Sequence, residues 1–416
     1  MRKILIVGSG QSGLQLALGL LQHGYDVTLM SSRTSDEIRN GRVMSTQCMF
    51  DMALQTERDQ GLSFWEAECP RVEGLGVSVG TPDGDRAIDW VGMLDGYAQS
   101  VDQRVKMAGW MEAFENRGGK LVLHGVAVSD LDKLATMFDL TIVAAGKGEL
   151  VSMFRRNPER SPYETPQRVL AVTYVHGLTP RPEHPDFQAV RCNLLSGVGE
   201  LFMIPGYTTS GPCDIMFFEC IPDGPLDKWS DVRAPQEYLD RMLDLMATFA
   251  PWEHARTRGV ELTDAGGVLT GRYAPVVRHP VGRLPSGALV LGMADVVVAN
   301  DPITGQGSNN AARCAASYLD SIIAHGDEAY DAAFMQSAFD RYWSYAQYPT
   351  GWTNAMLQPP PPHVLDLLGA GGQFQEIADR FANGFNNPAD LFSWFMDPDK
   401  ARAYLAEVQS RAEATG

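Results

Sequence analysis

Residues Ile4 to Gly13 read Ile-Leu-Ile-Val-Gly-Ser-Gly-Gln-Ser-Gly, four apolar residues running without a break into glycines spaced G-x-G-x-x-G. The flanking residues complete a unit. Leu14, Leu16, Ala17, Leu18, Leu20 and Leu21 continue at helical spacing as far as Gly24, and Val27-Thr28-Leu29-Met30 reads as a second strand. The pattern predicts a Rossmann-type βαβ unit. Gly8 permits the tight turn, Gly10 lets a pyrophosphate approach the backbone, and Gly13 lets helix and strand pack closely. The helix N-terminus attracts the anion. Such a site usually ends its second strand on Asp or Glu to hold a ribose hydroxyl, whereas this chain has Ser31, Ser32 and Arg33. Serine can still bond ribose and Arg33 would suit a 2′-phosphate, so this motif alone leaves FAD and NADPH both open.

A second motif decides between them. Ala288 to Asp295 reads as a buried strand ending in Gly-x-x-Asp, followed by Asp301-Pro302-Ile303-Thr304-Gly305-Gln306-Gly307-Ser308-Asn309. A helix follows, with Ala312, Ala315, Ala316, Leu319, Ile322 and Ile323 on its apolar stripe and Gly326 past its end. This resembles the second flavin-binding segment of the aromatic-hydroxylase class of flavoprotein monooxygenases. In that class the aspartate binds the ribityl chain and the Pro-x-x-Gly-Gln-Gly loop lies along the isoalloxazine. The resemblance implies FAD held by Gly8, Gly10, Gln11, Ser12, Gly13, Ser31, Ser32, Arg33, Arg42 and Thr46 from the N-terminal side. Asp295, Pro302, Gly305, Gln306, Gly307 and Asn309 would hold it from the other. Loop amides at a helix N-terminus suit the negative charge of reduced flavin.

Single-component members of that class carry an Asp-Gly motif after the central strand. Here Asp139-Leu140-Thr141-Ile142-Val143-Ala144-Ala145-Gly146-Lys147-Gly148 has glycine where that aspartate would stand. Over nearly its full length the chain resembles the epoxidase component of the two-component styrene and indole monooxygenases. Gln22-His23, Asp139-Leu140, Thr304-Gly305-Gln306-Gly307 and Trp352-Thr353-Asn354 carry the likeness. The resemblance implies reduced FAD supplied by a separate NADH-dependent flavin reductase, O2 as co-substrate, and a C4a-(hydro)peroxide that epoxidises a small aromatic substrate. The cofactor would carry the chemistry, so no catalytic acid–base side chain is expected.

Pocket positions point to the indole branch, in which the 2,3 bond of indole is epoxidised on the way to indoxyl and indigo. The resemblance pairs Ser45, Gln47 and Met49 with that branch, where styrene enzymes typically have Asn, Val and His. Val72 and Ala98 match it, Leu75 stands where its usual residue is Ile, and Pro302 completes the expected pocket. A Gln or Ser side chain can bond an indole N–H, and Met49 offers a soft contact to a ring. Three alternatives stay open: a styrene monooxygenase, a self-sufficient NAD(P)H hydroxylase, and a non-catalytic flavin-binding protein.

The expected fold is α/β: a Rossmann-type FAD domain (1–75, 100–160 and 276–345), an inserted β-rich substrate domain (76–99 and 161–275) and a C-terminal helical segment (346–416). Alternating stretches such as Val169-Leu170-Ala171-Val172 and Met216-Phe217-Phe218 mark the insert. Arg104 opens an amphipathic helix containing Met107, Trp110, Met111 and Phe114, with a surface salt bridge or an approach to the flavin as its two readings. Phe392, Trp394 and Phe395 look exposed and would cover the substrate domain. The formal net charge of −17 argues against nucleic acid and anionic membrane as partners. A second copy of the chain is a further candidate partner. Six scattered cysteines without C-x-x-C read as reduced thiols, and the apolar run after Met1-Arg2-Lys3 is short for a signal peptide, so a cytoplasmic location is expected. The eight histidines show no metal-binding spacing, and no metal is expected.

Overall fold

A computed structural model describes residues 1–81, 84–146 and 148–415; Lys147 of the Asp139–Gly148 stretch lies outside them. Among the described residues two large sheets form. The first has six strands in the order Val281–Arg283, Leu289–Gly292, Leu140–Val143, Lys3–Val7, Asp26–Ser31, Lys120–Leu123. All neighbours run parallel except the antiparallel Val281–Arg283 edge. Its central strands are apolar on both faces because helices cover both, and Ile4, Leu5, Ile6, Leu140, Ile142, Val290 and Leu291 are all buried. The helices Gln11–Gln22 and Gly307–His325, one after each sequence motif, pack against one another. They approach so closely that a Cβ on Gly19 would lie 2.7 Å from Leu319 Cδ2.

The second sheet has eight strands. Its main path runs Glu261–Leu262, Val169–His176, Gly211–Cys220, Gly199–Thr208, Ala189–Leu195, Val72–Gly80, Arg86–Ala98, and Val268–Gly271 also pairs with Val169–His176. Pairing is antiparallel except between Val72–Gly80 and Ala189–Leu195. Alternation sorts the side chains. Phe202, Ile204, Ile215 and Phe217 face the rest of the molecule, whereas Leu201, Met203, Met216 and Phe218 face a separate core under the helix Pro235–Phe249. A sheet buried on both faces explains why Met216-Phe217-Phe218 is apolar without interruption.

Several sequence expectations need correction. The domain limit at residue 75 falls inside the strand Val72–Gly80, which belongs wholly to the second sheet. The limit at 345 falls inside the helix Ala332–Met356, which continues through Pro349. Proline costs that helix one backbone hydrogen bond, but its last turns are held by tertiary bonds from Thr350 Oγ1 to Asn300 (3.1 Å) and between Thr353 Oγ1 and Thr304 Oγ1 (2.5 Å). Trp394 and Phe395 are buried, packed with Phe381 and Tyr404 against the inner face of the second sheet, and Phe392 is half-buried. Arg104 is not on the surface either. It is 2% exposed and bonds Asp102 (2.9 Å), Asp264 (2.9 and 3.0 Å) and Thr208 (3.0 Å), tying the helix Gln103–Asn116 to the second sheet. No helix among the described residues is long and apolar enough to cross a membrane.

Candidate flavin and substrate site

The first strand delivers its chain to a turn at Gly8, whose φ of +122° is one that L side chains rarely adopt. A Cβ on Gly8 would lie 2.8 Å from the Ala144 carbonyl carbon, and one on Gly13 only 2.0 Å from Gly8 O. Glycine is therefore required at both positions by packing. Gly10 differs: a Cβ there would meet nothing within 4 Å. Gly10 thus borders open space at the start of the helix Gln11–Gln22, which has no side-chain cap and no acidic residue in its first turn. The helix Gly307–His325 starts in the same way, uncapped and without an acid, with open space beside Gly307. Two such N-termini leave unpaired N–H groups and partial positive charge for an anionic ligand. The residues therefore fit a dinucleotide carrying a pyrophosphate at one helix and an electron-rich ring at the other.

At the adenosine end, Ser31 Oγ lies 2.8 Å from Ser9 Oγ and donates to Arg33 O (2.7 Å), closing the turn after the second strand. Ser32, Arg33 and Arg42 are exposed, and Arg33 reaches the Met44 sulfur at 3.3 Å. Ser12 is buried in the first helical turn. Gln11 is buried and donates to Glu57 (2.9 Å), which also receives Lys106 (2.8 and 3.0 Å); Lys106 in turn contacts Met49 Sδ at 3.2 Å. Glu57 and Lys106 belong to no motif. The available signal was a charged pair on otherwise amphipathic helices.

At the ring end, Ala294 holds φ at +49°, an uncommon conformation for a residue with a side chain, and presents Asp295 at the surface. Gly146 packs directly behind it. A Cβ at 146 would approach Asp295 Cβ to 2.9 Å, so this backbone leaves no room for an aspartate there. Asp301 Oδ1 caps Ile303 N (3.1 Å), opening a short 3₁₀ turn from Pro302 to Thr304 that closes at Gly305 with φ +63°. Gln306 is buried and donates to Thr304 O and Phe385 O. Asn309 donates to Cys48 O (2.8 Å) and Gly305 O (2.9 Å) and accepts from Phe50 N (2.9 Å), joining the two sides of the site.

Between those sides lies an apolar cavity. Thr46, Leu75, Pro302 and Phe385 line it above the inner face of the second sheet, with Phe202 and Phe217 as cross-strand partners in its floor. Two residues farther along the same strands, on the same face, the pairing is unusual: Glu200 stands opposite Glu219. Arg168 pairs with Glu200 through two bonds of 2.8 and 2.9 Å. Neither Glu219 oxygen meets a donor, and the charge of a second carboxyl, Asp301, acts on it. Burial and the Asp301 charge push Glu219 well above the usual carboxylate range; burial raises Asp301 as well, against its bonds to Glu219 and Ile303. A carboxyl buried without a donor and beside a second acid is favoured in its neutral form.

Comparison with known proteins agrees with this geometry. Residues 146–256 match the family model described as the styrene monooxygenase A putative substrate binding domain. The chain is 31% identical over 408 residues to styrene monooxygenase StyA of Pseudomonas fluorescens, covering 96% of each, and 31% identical over 415 residues to StyA of a Pseudomonas species, covering 98% of each. The chain belongs to the styrene monooxygenase family. It is a flavin-dependent monooxygenase, with FAD as cofactor and O2 as co-substrate. The fold is also that of p-nitrophenol 4-monooxygenase PnpA from Pseudomonas putida DLL-E4, at a TM-score of 0.64 and 12% identity over 93% of this chain and 99% of that one.

Within this styrene monooxygenase fold the seven pocket residues separate. Leu75 and Pro302 line the cavity, whereas Val72 and Ala98 are paired neighbours at the sheet edge, buried in the surrounding core. Along the extended stretch from Ser45 to Phe50, the cavity-lining side chains are Thr46, Cys48 and Phe50. Ser45 donates to Gln47 Oε1 (2.5 Å), Gln47 Nε2 donates to Tyr174 Oη (3.1 Å), and Tyr174 Oη donates to Ser45 O (2.7 Å). Ser100 Oγ also donates to Gln47 O. Met49 packs with Ala53, Leu54 and Ala312. Sequence reading missed Thr46 as a cavity residue, and missed Phe202, Phe217 and Phe385 altogether. Their signal was the alternation of the second sheet, which names a face but not what covers it.

Proposed function

We propose that this chain is the oxygenase half of a two-component enzyme, taking reduced FAD from a separate NADH-dependent reductase and epoxidising the C=C bond of a small aryl alkene. The observation that carries the reading is the aromatic-floored cavity between the two nucleotide-binding turns, walled by Pro302 on the cofactor side. Bound reduced FAD supplies the activation of O2. The protein's part is to bind, orient and keep dry: Phe202, Phe217, Ile303 and Phe385 exclude water, and the uncapped helix at Gly307 favours negative charge at the ring. The cavity is about 30 Å³, so entry of a ring requires a lining side chain to move. The glycine at 146 supports the need for an external reductase, because the aspartate associated with nicotinamide use has no room there.

Styrene is the substrate this cavity supports best, since the Gln47 amide is already bonded to Ser45 and Tyr174 and the cavity floor is apolar. Indole, attacked at its 2,3 bond, is the second reading, favoured by the residue types at Ser45, Gln47 and Met49. Reductase-coupled turnover on the two substrates in parallel tests this. Styrene oxide should dominate; indigo formation that outpaces it would reverse the order, and NADPH oxidation by the chain alone would sink the two-component reading. A cytoplasmic location fits the six buried, unbridged cysteines.

A further inference from the structure

On the outer face of the eight-stranded sheet, away from the flavin, lies a second cavity of about 220 Å³. Leu178, Pro180, Phe187, Pro205 and Pro212 form apolar walls, and Arg191 of the strand Ala189–Leu195 lies among them. Arg191 is 4% exposed, yet its Nη1 meets no acceptor and it forms no ion pair among the described residues. The neighbouring charges explain why. Three guanidinium groups face the cavity, from Arg181, Arg191 and Arg256. Arg181 is paired with Asp89 (2.9 Å) and Glu253 (2.7 Å), and Arg256 with Glu253 (2.5 Å). The two carboxylates nearby are thus already engaged by Arg181 and Arg256, and neither bonds Arg191. Burial, with Arg181 and Arg256 on either side, pushes Arg191 down to about 10.

A buried cation without a partner costs several kcal/mol, and the surroundings accommodate this one specifically. On the adjacent strand Gly76 has no side chain, and a Cβ there would stand 2.6 Å from Arg191 Nη1. The remaining acid at the cavity, Asp214, lies half-buried. Burial pushes it up to about 6, against the field of Arg256. A guanidinium fork in an apolar-walled hollow matches one ligand chemistry, a carboxylate carried on an apolar body. We propose that this cavity binds a small organic carboxylate, its head group on Arg191 and its body against Leu178 and Phe187. Such a site is separate from the aryl-alkene cavity and independent of which alkene is oxidised.

Sodium benzoate serves as the probe, with benzyl alcohol and inorganic phosphate as controls, titrated by calorimetry and by thermal shift into the full chain with and without FAD. Benzoate should bind saturably and raise Tm whether or not FAD is present, and benzyl alcohol should not. Arg191→Met should weaken benzoate by about tenfold or more. Asp214→Asn, which keeps Arg191 and removes the remaining carboxyl that lines the cavity, should tighten it severalfold. That second variant keeps the test decisive should Arg191→Met fail to fold. No heat and no Tm shift at millimolar benzoate, or undiminished binding by Arg191→Met, would overturn the proposal. Binding seen only in Asp214→Asn would do so too, by making Asp214 the counter-charge. Phosphate binding as tightly as benzoate would overturn the organic ligand class, and loss of benzoate binding on adding FAD would place the ligand in the flavin site.

Discussion

Two buried charge clusters join the sheets, and they are built on opposite principles. Around Arg104, two carboxylates and a hydroxyl meet the guanidinium at 2.9 to 3.0 Å, and the Thr208 hydroxyl also bonds Asp102 at 2.6 Å. Around Arg168, Glu200 alone among the neighbouring carboxyls is bonded to the guanidinium, while Glu219 opposite it has no donor and feels the charge of Asp301. In the first cluster each carboxylate is bonded to the guanidinium, and Asp264 is also partly open to water; in the second, Glu219 has no donor and burial favours its neutral form. The first fixes the helix Gln103–Asn116 to the sheet, while the second sits two residues beyond the cavity floor on the same face, with Asp301 next to Pro302. The difference teaches that burial alone does not say what a charge is for; its bonding partners do.

The largest effect should come from breaking the matched cluster. Arg104→Met strands Asp102 in the interior and should cost about 3–5 kcal/mol in urea unfolding. A loss under about 1 kcal/mol would show that the network is dispensable. Next is Asn309→Ala, which leaves the Phe50 N–H without its partner and should cost about 1–3 kcal/mol, with weaker FAD binding by fluorescence quenching. Unchanged FAD affinity would separate the two sides of the site.

The clusters should also answer pH in opposite directions. Glu219, Asp301 and Glu200 are raised, chiefly by burial, so their contribution is present at low pH and fades as pH climbs from the ordinary carboxylate range through the raised values. Asp264 is lowered: burial works against its charge but the Arg104 hydrogen bond prevails. Its contribution is therefore present above the ordinary range and fades as pH falls. Glu219→Gln should flatten the alkaline side of the stability profile and Asp264→Asn the acid side. An infrared band of a protonated carboxyl, present in the wild type at neutral pH and lost in Glu219→Gln, checks that Glu219 is protonated; its absence from the wild type would show Glu219 charged. The smallest effect is expected at the exposed Arg341–Asp320 pair (3.0 Å), where Arg341→Ala should cost between about 0 and 1 kcal/mol.

The legibility of these features in sequence follows the range of the interactions. The βαβ turn at Gly8–Gly13 and the Pro302–Asn309 loop were readable because a dozen neighbouring residues determine each. The inserted sheet was visible as alternation, but its edge at Val72 was not, because the strand pairs with Ala189–Leu195 more than a hundred residues on. The limit at 345 was misplaced because the contacts that carry that helix on through Pro349 come from Asn300 and Thr304. Arg104 and Trp394 were misread as surface residues for a related reason: their partners are distant in the chain. Ser45 and Gln47 were singled out correctly as polar, but only the structure shows their hydroxyl and amide meeting each other and Tyr174.

Asn309 links a cofactor turn to the segment that walls the cavity, through bonds to both Cys48 and Phe50. Ligand preference and nucleotide affinity are therefore not independent traits in this chain. A substitution at Thr46, Cys48 or Phe50 that reshapes the cavity also pulls on the turn at Gly305, so a shift in substrate range should bring with it a shift in how firmly flavin is retained.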